Sequence, residues 1–135
     1  MITVLLADDH VMVRDGLRHI LEAAGDIQVI ALAANGKEAV AQALTQCPDI
    51  AVIDISMPVM DGIEATRQIL AVCPHTRILT LSMYHMGDYV HRAVEAGAVG
   101  YVLKDEAGNE LVEAVRRLHA GQRYFSPGVV QFGSG

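Results

Sequence analysis

Positive charge is scarce in this chain: ten lysines and arginines face sixteen aspartates and glutamates, for a formal net charge of −6 at pH 7. Nucleic-acid binding draws on a basic patch that neutralises phosphates, so no direct nucleic-acid partner is expected. Long apolar runs are missing too. None approaches the roughly 20 residues of a membrane span, and Met1-Ile2-Thr3 carries no basic signal-peptide n-region, so no membrane partner and a cytoplasmic location are expected. Cysteine is limited to Cys47 and Cys73, each directly before a proline at a predicted helix end. These matched settings are read as reduced packing residues of a cytosolic protein rather than a disulfide or metal site. Tandem repeats and low-complexity segments are absent. What is present is 135 residues at 52% hydrophobic content, one domain's worth, able to bury roughly two-thirds of its unfolded surface.

The chain alternates between two patterns. Ile2 to Ala7 is a β-branched and leucine-rich run that stops at Asp8-Asp9. Val13, Leu17, Ile20, Leu21 and Ala24 then recur at helical spacing before Gly25. Ile27 to Ala34 reads as a second strand. Asn35 and Glu38 form a capping box for a helix that ends before Pro48. Asp49 to Asp54 is a third strand, and the helical pattern from Ile63 to Cys73 stops at Pro74. Arg77 to Ser82 is the fourth strand, Met86 to Ala96 a helix, and Val99 to Leu103 the fifth strand. Asp105 is placed to N-cap a last helix ending at Gly121. Five near-continuous apolar strands, each followed by a helix, predict a doubly wound α/β domain with a parallel sheet covered on both faces.

That architecture converts scattered polar residues into a site. Parallel strands share one C-terminal edge, where ligands of such sheets bind. Strand one ends at Asp8 and Asp9, strand three at Asp54, strand four at Ser82 and strand five at Lys104. The second strand delivers no charge, which suits an outer position. Three crowded carboxylates raise one another's pKa unless a cation is near. An oxygen-only ligand set favours Mg²⁺, and no histidine or cysteine has zinc-like spacing at a strand end. The six histidines (His10, His19, His75, His85, His91 and His119) show no ligand-like spacing, and most are read as solvated helix or loop residues. A carboxylate nucleophile with a lysine and a metal beside it points to aspartyl phosphate chemistry.

Taken together, Asp8-Asp9, Asp54 with Met57-Pro58 and Asp61-Gly62, Ser82, and Tyr101-Val102-Leu103-Lys104 resemble the receiver domain of bacterial two-component response regulators. The resemblance runs from residue 2 to about 121. The stretches ADDHVMVRDGL and GYVLKDEAGNELVEAVRRLHAGQRYFSP resemble the NarL/LuxR-type subgroup. It implies a flavodoxin-like fold of five parallel strands in the order 2-1-3-4-5. Asp54 is then the phosphoacceptor for a sensor histidine kinase. Asp8, Asp9, Asp54 and the Ser56 backbone carbonyl hold Mg²⁺, Lys104 pairs with Asp54 and the phosphoryl oxygens, and Ser82 and Tyr101 act as the switch. The resemblance implies a signalling domain that catalyses only its own phosphoryl transfer and autodephosphorylation.

Residues 1–121 are expected to form the receiver and 122–135 to begin an interdomain linker, with the terminal Gly-Ser-Gly readable as an addition to the natural chain. A helix-turn-helix output domain that regulates transcription is expected beyond residue 135, as is homodimerisation on phosphorylation. Met83 to Tyr89 and the Tyr101 strand are expected to form a phosphorylation-sensitive surface.

Other classes stay open at this point. A phosphorylation-independent interaction module would not need the acid pair, Asp54 and Lys104. A haloacid-dehalogenase-like hydrolase places a second Asp two residues after its nucleophile, where this chain has Ser56. A flavodoxin-like cofactor binder would need a glycine-rich loop after the first strand, which is missing.

Overall fold

The structure is a computed structural model that describes residues 1–84 and 87–129. Strands and helices alternate as β1 (Ile2–Ala7), α1 (Val11–Ala23), β2 (Ile27–Ala33), α2 (Gly36–Thr45), β3 (Ile50–Asp54) and α3 (Gly62–Val72). They continue as β4 (Arg77–Ser82), α4 (Gly87–Ala96), β5 (Gly100–Leu103), a 3₁₀ turn (Lys104–Glu106), α5 (Ala107–His119) and β6 (Tyr124–Phe125). The sheet is parallel throughout, in the order β2-β1-β3-β4-β5-β6.

The period of two along each strand sorts the core into two layers. Val4, Leu6, Ile50, Val52, Leu79, Leu81 and Val102 face α1 and α5, meeting Leu17, Leu21, Leu111, Val115 and Leu118. Their neighbours Leu5, Ala7, Ala51, Ile53, Ile78 and Tyr101 face α2, α3 and α4, meeting Ala39, Ala43, Ile69, Val90 and Ala93. Strands buried on both faces need no polar alternation, which is why they read as continuous apolar runs. At the start of α2 the Asn35 side chain accepts from the Glu38 N–H at 2.8 Å, while Glu38 Oε1 accepts from the Ala34 N–H at 2.8 Å. Asp61 caps α3 by accepting from the Glu64 N–H at 2.9 Å.

Three expectations are corrected. The sheet has six strands rather than five: Gly100 pairs with Tyr124 and Tyr101 with Phe125, so β5 is an interior strand. Asp105 does not cap the last helix, because Lys104–Glu106 forms a 3₁₀ turn and α5 begins at Ala107 with Glu106 at the N-cap. Cys47 and Cys73 are bonded to each other, with Cα atoms 5.7 Å apart. Their parallel settings explain the meeting: α2 and α3 pack side by side in consecutive strand-helix units, so equivalent positions at their ends are neighbours. Only Cys73, 2% exposed, also fits the packing role.

Two close backbone approaches set the loop after β3. A Cβ on Gly62 would lie 2.2 Å from the Asp54 carbonyl oxygen, and one on Gly36 2.3 Å from that of Met60. No larger residue fits at either position without moving the backbone. Between them, Met60 N–H donates to the Pro58 carbonyl at 2.7 Å around Val59, whose φ is 69°. A β-branched residue in that region is strained, and the strain sits in the loop that follows Asp54.

Candidate functional site

The strand-end residues singled out in the sequence do converge at the C-terminal edge of the sheet. Asp8 and Ser82 are wholly buried and Asp54 is 2% exposed. Asp9 is half-buried. Lys104 reaches across from the end of β5, placing Nζ 2.9 Å from Asp54 Oδ2 and 3.0 Å from Asp8 Oδ2. The other Asp54 oxygen, Oδ1, accepts from the Ser56 N–H at 3.1 Å. Asp8 Oδ1 accepts from the His10 N–H at 2.8 Å, and Arg14 Nη1 donates to the Asp8 carbonyl at 2.8 Å.

One cation shared by two buried carboxylates explains the titration behaviour. Burial pushes the Asp54 carboxyl above its ordinary value; the Lys104 ion pair and the Ser56 N–H pull it back, and the Asp8 charge adds to the rise. For Lys104, burial works against the charge, but hydrogen bonds to Asp54 and Asp8 outweigh it and hold the ammonium above its usual value. The lysine is thus doubly served while each carboxylate is under-neutralised. Asp8 Oδ2, despite its closeness to Nζ, and Asp9 Oδ1 are buried with no hydrogen bond. Buried polar atoms are rarely left so, and orphaned carboxylate oxygens facing one edge fit a hard cation.

Carboxylate and ring atoms of Asp8, Asp9, His10 and Asp54 all lie within 4.8 Å of one another. The His10 side chain is exposed, as a solvated histidine should be, but its place beside the acid cluster went unmarked in the sequence. Its Nδ1 lies 3.0 Å from Lys104 Nζ and 3.3 Å from Asp8 Oδ1 and Asp9 Oδ1. The one available signal was its position directly after the acid pair. A pocket of about 340 Å³ opens beside this cluster, lined by His10, Val13, Met83, Lys104 and Asp105.

Ser82 and Tyr101 meet at a third residue. Ser82 Oγ accepts from the Tyr84 N–H at 2.9 Å, and the Tyr101 hydroxyl donates to the Tyr84 carbonyl at 2.6 Å. Tyr101 is wholly buried, and burial pushes its phenol up, with the Ser82 hydroxyl pulling partly back. The Tyr84 ring stacks on Tyr89 with centroids 4.2 Å apart. Of the Met83 to Tyr89 surface anticipated from the sequence, His85 and Met86 lie outside the described residues.

With this geometry in place, comparison with known proteins decides the family. The model of the response regulator receiver domain matches residues 4–116. The chain belongs to that family. It is 39% identical over 131 residues to the response regulator UvrY of Escherichia coli K12, an alignment covering 97% of this chain and 60% of the relative. It is 40% identical over 129 residues to the response regulator protein VraR of Staphylococcus aureus, covering 96% of this chain and 62% of the relative. The chain therefore spans about three-fifths of these curated relatives.

A crystal structure of a LuxR-family two-component response regulator from Aurantimonas superposes with a TM-score of 0.90 at 39% identity, over 94% of this chain and 91% of that one. The signal receiver domain of the putative response regulator NarL from Mycobacterium tuberculosis gives 0.85 at 31% identity, over 90% and 98%. The receiver is of the LuxR/NarL type and is a signalling domain. Among the described residues, no helix is long and apolar enough to cross a membrane.

Proposed function

We propose that this receiver accepts a phosphoryl group on Asp54 from the phosphohistidine of a sensor histidine kinase. The observation that carries the reading is the half-buried Lys104 ammonium held between Asp54 and Asp8 while Asp8 Oδ2 and Asp9 Oδ1 accept no hydrogen bond. An Asp54 carboxylate oxygen attacks phosphorus and the bond to the donor nitrogen breaks. Lys104 then transfers its hydrogen bond from the carboxylate to the phosphoryl oxygens, and Ser82 donates its hydroxyl to another. Asp8, Asp9, Asp54 and the Ser56 backbone carbonyl are the residues that would hold Mg²⁺, which supplies charge neutralisation for the incoming phosphoryl oxygens. Autodephosphorylation would use the same groups.

The output belongs to the same proposal. Ser82 drawn toward a phosphoryl oxygen releases its hold on the Tyr84 N–H, and Tyr101 holds the other side of that residue. Phosphorylation is thereby read as a shift of the segment after β4. Residues 1–121 serve as the receiver and 122–135 as the start of a linker, within which β6 pairs with β5 as the sheet's edge strand. The signal passes to a helix-turn-helix output domain that regulates transcription in the cytoplasm, with homodimerisation of the phosphorylated form and no nucleic-acid contact from this chain.

Intact mass after incubation with acetyl phosphate tests the chemistry. One added phosphoryl group is expected with Mg²⁺ and none without it or in Asp54→Asn. No addition under any condition, including incubation with a cognate kinase, would favour a phosphorylation-independent interaction module.

A further inference from the structure

The bond between Cys47 and Cys73 lies at the sheet edge opposite the acidic site, where α2 and α3 end. The two sulfurs differ in access: Cys47 is exposed, whereas Cys73 is 2% exposed. A pocket of about 200 Å³ opens over the pair, with Pro48, Asp49, Val72 and Pro74 in its wall. Each sulfur also faces a backbone carbonyl, Cys73 Sγ at 3.4 Å from that of Ala43 and Cys47 Sγ at 3.9 Å from that of Val72. A disulfide sulfur has no proton to offer those oxygens; a thiol has. On reduction the sulfurs move apart to van der Waals distance, and each has a nearby carbonyl that can accept a weak S–H···O contact.

We propose that Cys47 and Cys73 form a reversible thiol–disulfide site on this receiver, with a small-molecule disulfide as the oxidant. The Cys47 thiolate attacks one sulfur of that disulfide; its S–S bond breaks, and the departing thiolate takes up the proton Cys47 lost. Cys73, deprotonated in turn, attacks the Cys47 sulfur of the mixed disulfide and expels the second small thiol. Two protein thiols lose two electrons and two protons, and one small disulfide becomes two small thiols. Access fixes the order, because only Cys47 is open to a molecule from solvent. In a reducing compartment such a bond is a transient, sensing one rather than a permanent staple.

The bond has a structural consequence. At their other ends α2 and α3 are already held to the loop after β3, through Gly36 N–H to the Met60 carbonyl and Gly62 N–H to the Ile55 carbonyl, both 3.0 Å. Oxidation ties the remaining ends, so both ends of the helix pair are fixed. The site rests on none of the phosphoacceptor reading.

The test takes the full chain, reduced with dithiothreitol, desalted and exposed while folded to oxidised glutathione. Intact mass is expected to show loss of two hydrogens and loss of both alkylatable thiols, with dithiothreitol restoring them without denaturant. Cys73→Ala is expected to stop with one glutathionyl group on Cys47, and Cys47→Ala to take up none. Amide exchange at residues 46–49 and 73–76 is expected to be slower in the oxidised form. A bond that opens only in denaturant, first attack at Cys73, or identical exchange in the two states would overturn the proposal. Should either variant fail to fold by circular dichroism, peptide mapping of the native chain after a brief glutathione pulse decides the order: an adduct at Cys47 supports it and one at Cys73 overturns it.

Discussion

Asp54→Asn and Lys104→Met remove opposite ends of one largely buried ion pair, its carboxylate buried and its lysine half-buried, and they are expected to change stability in opposite directions. Removing one partner of a buried pair usually destabilises by about 3–5 kcal/mol, because the other charge is stranded. Asp54→Asn strands nothing, since Lys104 Nζ keeps Asp8 Oδ2 at 3.0 Å. With an effective dielectric constant of about 20, the lost attraction at 2.9 Å is roughly 6 kcal/mol. Asp8 offers an oxygen within 4.8 Å, and that repulsion removed is worth at least roughly 3.5 kcal/mol on the same scale. Relief of the carboxylate's desolvation, the largest cause of its raised pKa, adds several kcal/mol more to that side. The balance favours the asparagine chain by about 1–3 kcal/mol. Lys104→Met leaves the carboxylates facing one another and should cost about 3–5 kcal/mol.

Urea denaturation at pH 7 with a chelator present measures both. The pH dependence supplies an independent sign. Burial raises the Asp54 pKa in the folded state, so the folded chain holds its proton to higher pH than the unfolded chain does. The penalty is fully present above the folded pKa and disappears as pH falls to the unfolded value. The advantage of Asp54→Asn should therefore shrink on acidification through that window. An asparagine chain less stable than the native one at pH 7, or an advantage that grows toward acid, would refute the charge accounting.

Three further outcomes follow from features away from this cluster. The sequence separation of 26 between the bonded cysteines gives a loop-entropy stabilisation of about 3.5 kcal/mol, so reduction should lower the melting temperature by about 12 °C, and equal midpoints would count against the bond. Val59→Gly should stabilise by about 1 kcal/mol in chemical denaturation, because relief of a φ of 69° exceeds glycine's entropic cost and Val59 is 77% exposed; a loss of stability would show that the valine is not strained. Ser126→Ala should cost about 1–3 kcal/mol, since Ser126 Oγ accepts from the Leu103 N–H at 3.0 Å and donates to Glu110 Oε1 at 2.6 Å. Its signature is faster amide exchange across β5 and β6, and unchanged exchange there would show that these two hydrogen bonds do not hold the strands together.

What was legible in the sequence and what was not divides along a physical line. Relations along the chain were plain: apolar runs ending in Asp8, Asp54, Ser82 and Lys104 marked both the strands and the edge they share, because parallel strands all end on one side. The Asn35–Glu38 box was plain because its two partners are three residues apart. Lateral relations were not. β6 is only two residues, Tyr124–Phe125, too short for any period, and its place comes from pairing with Gly100 and Tyr101. That pairing turns Tyr101 from an edge residue into a wholly buried one.

The same division accounts for His10 and the cysteines. No periodicity marks a histidine that follows the acid pair, yet the turn into α1 carries its ring to Lys104, 94 residues away. Cys47 and Cys73 carry a stronger clue: each precedes a proline at the end of its helix, in adjacent repeats of one strand-helix unit. In a doubly wound sheet, consecutive units on the same face are neighbours, so equal positions in successive units are candidates for contact. Both crossings that flank β3 lie on the face with α2, α3 and α4. Comparing equivalent positions of successive units on one face, rather than spacing along the chain, is the reasoning that places the two sulfurs together.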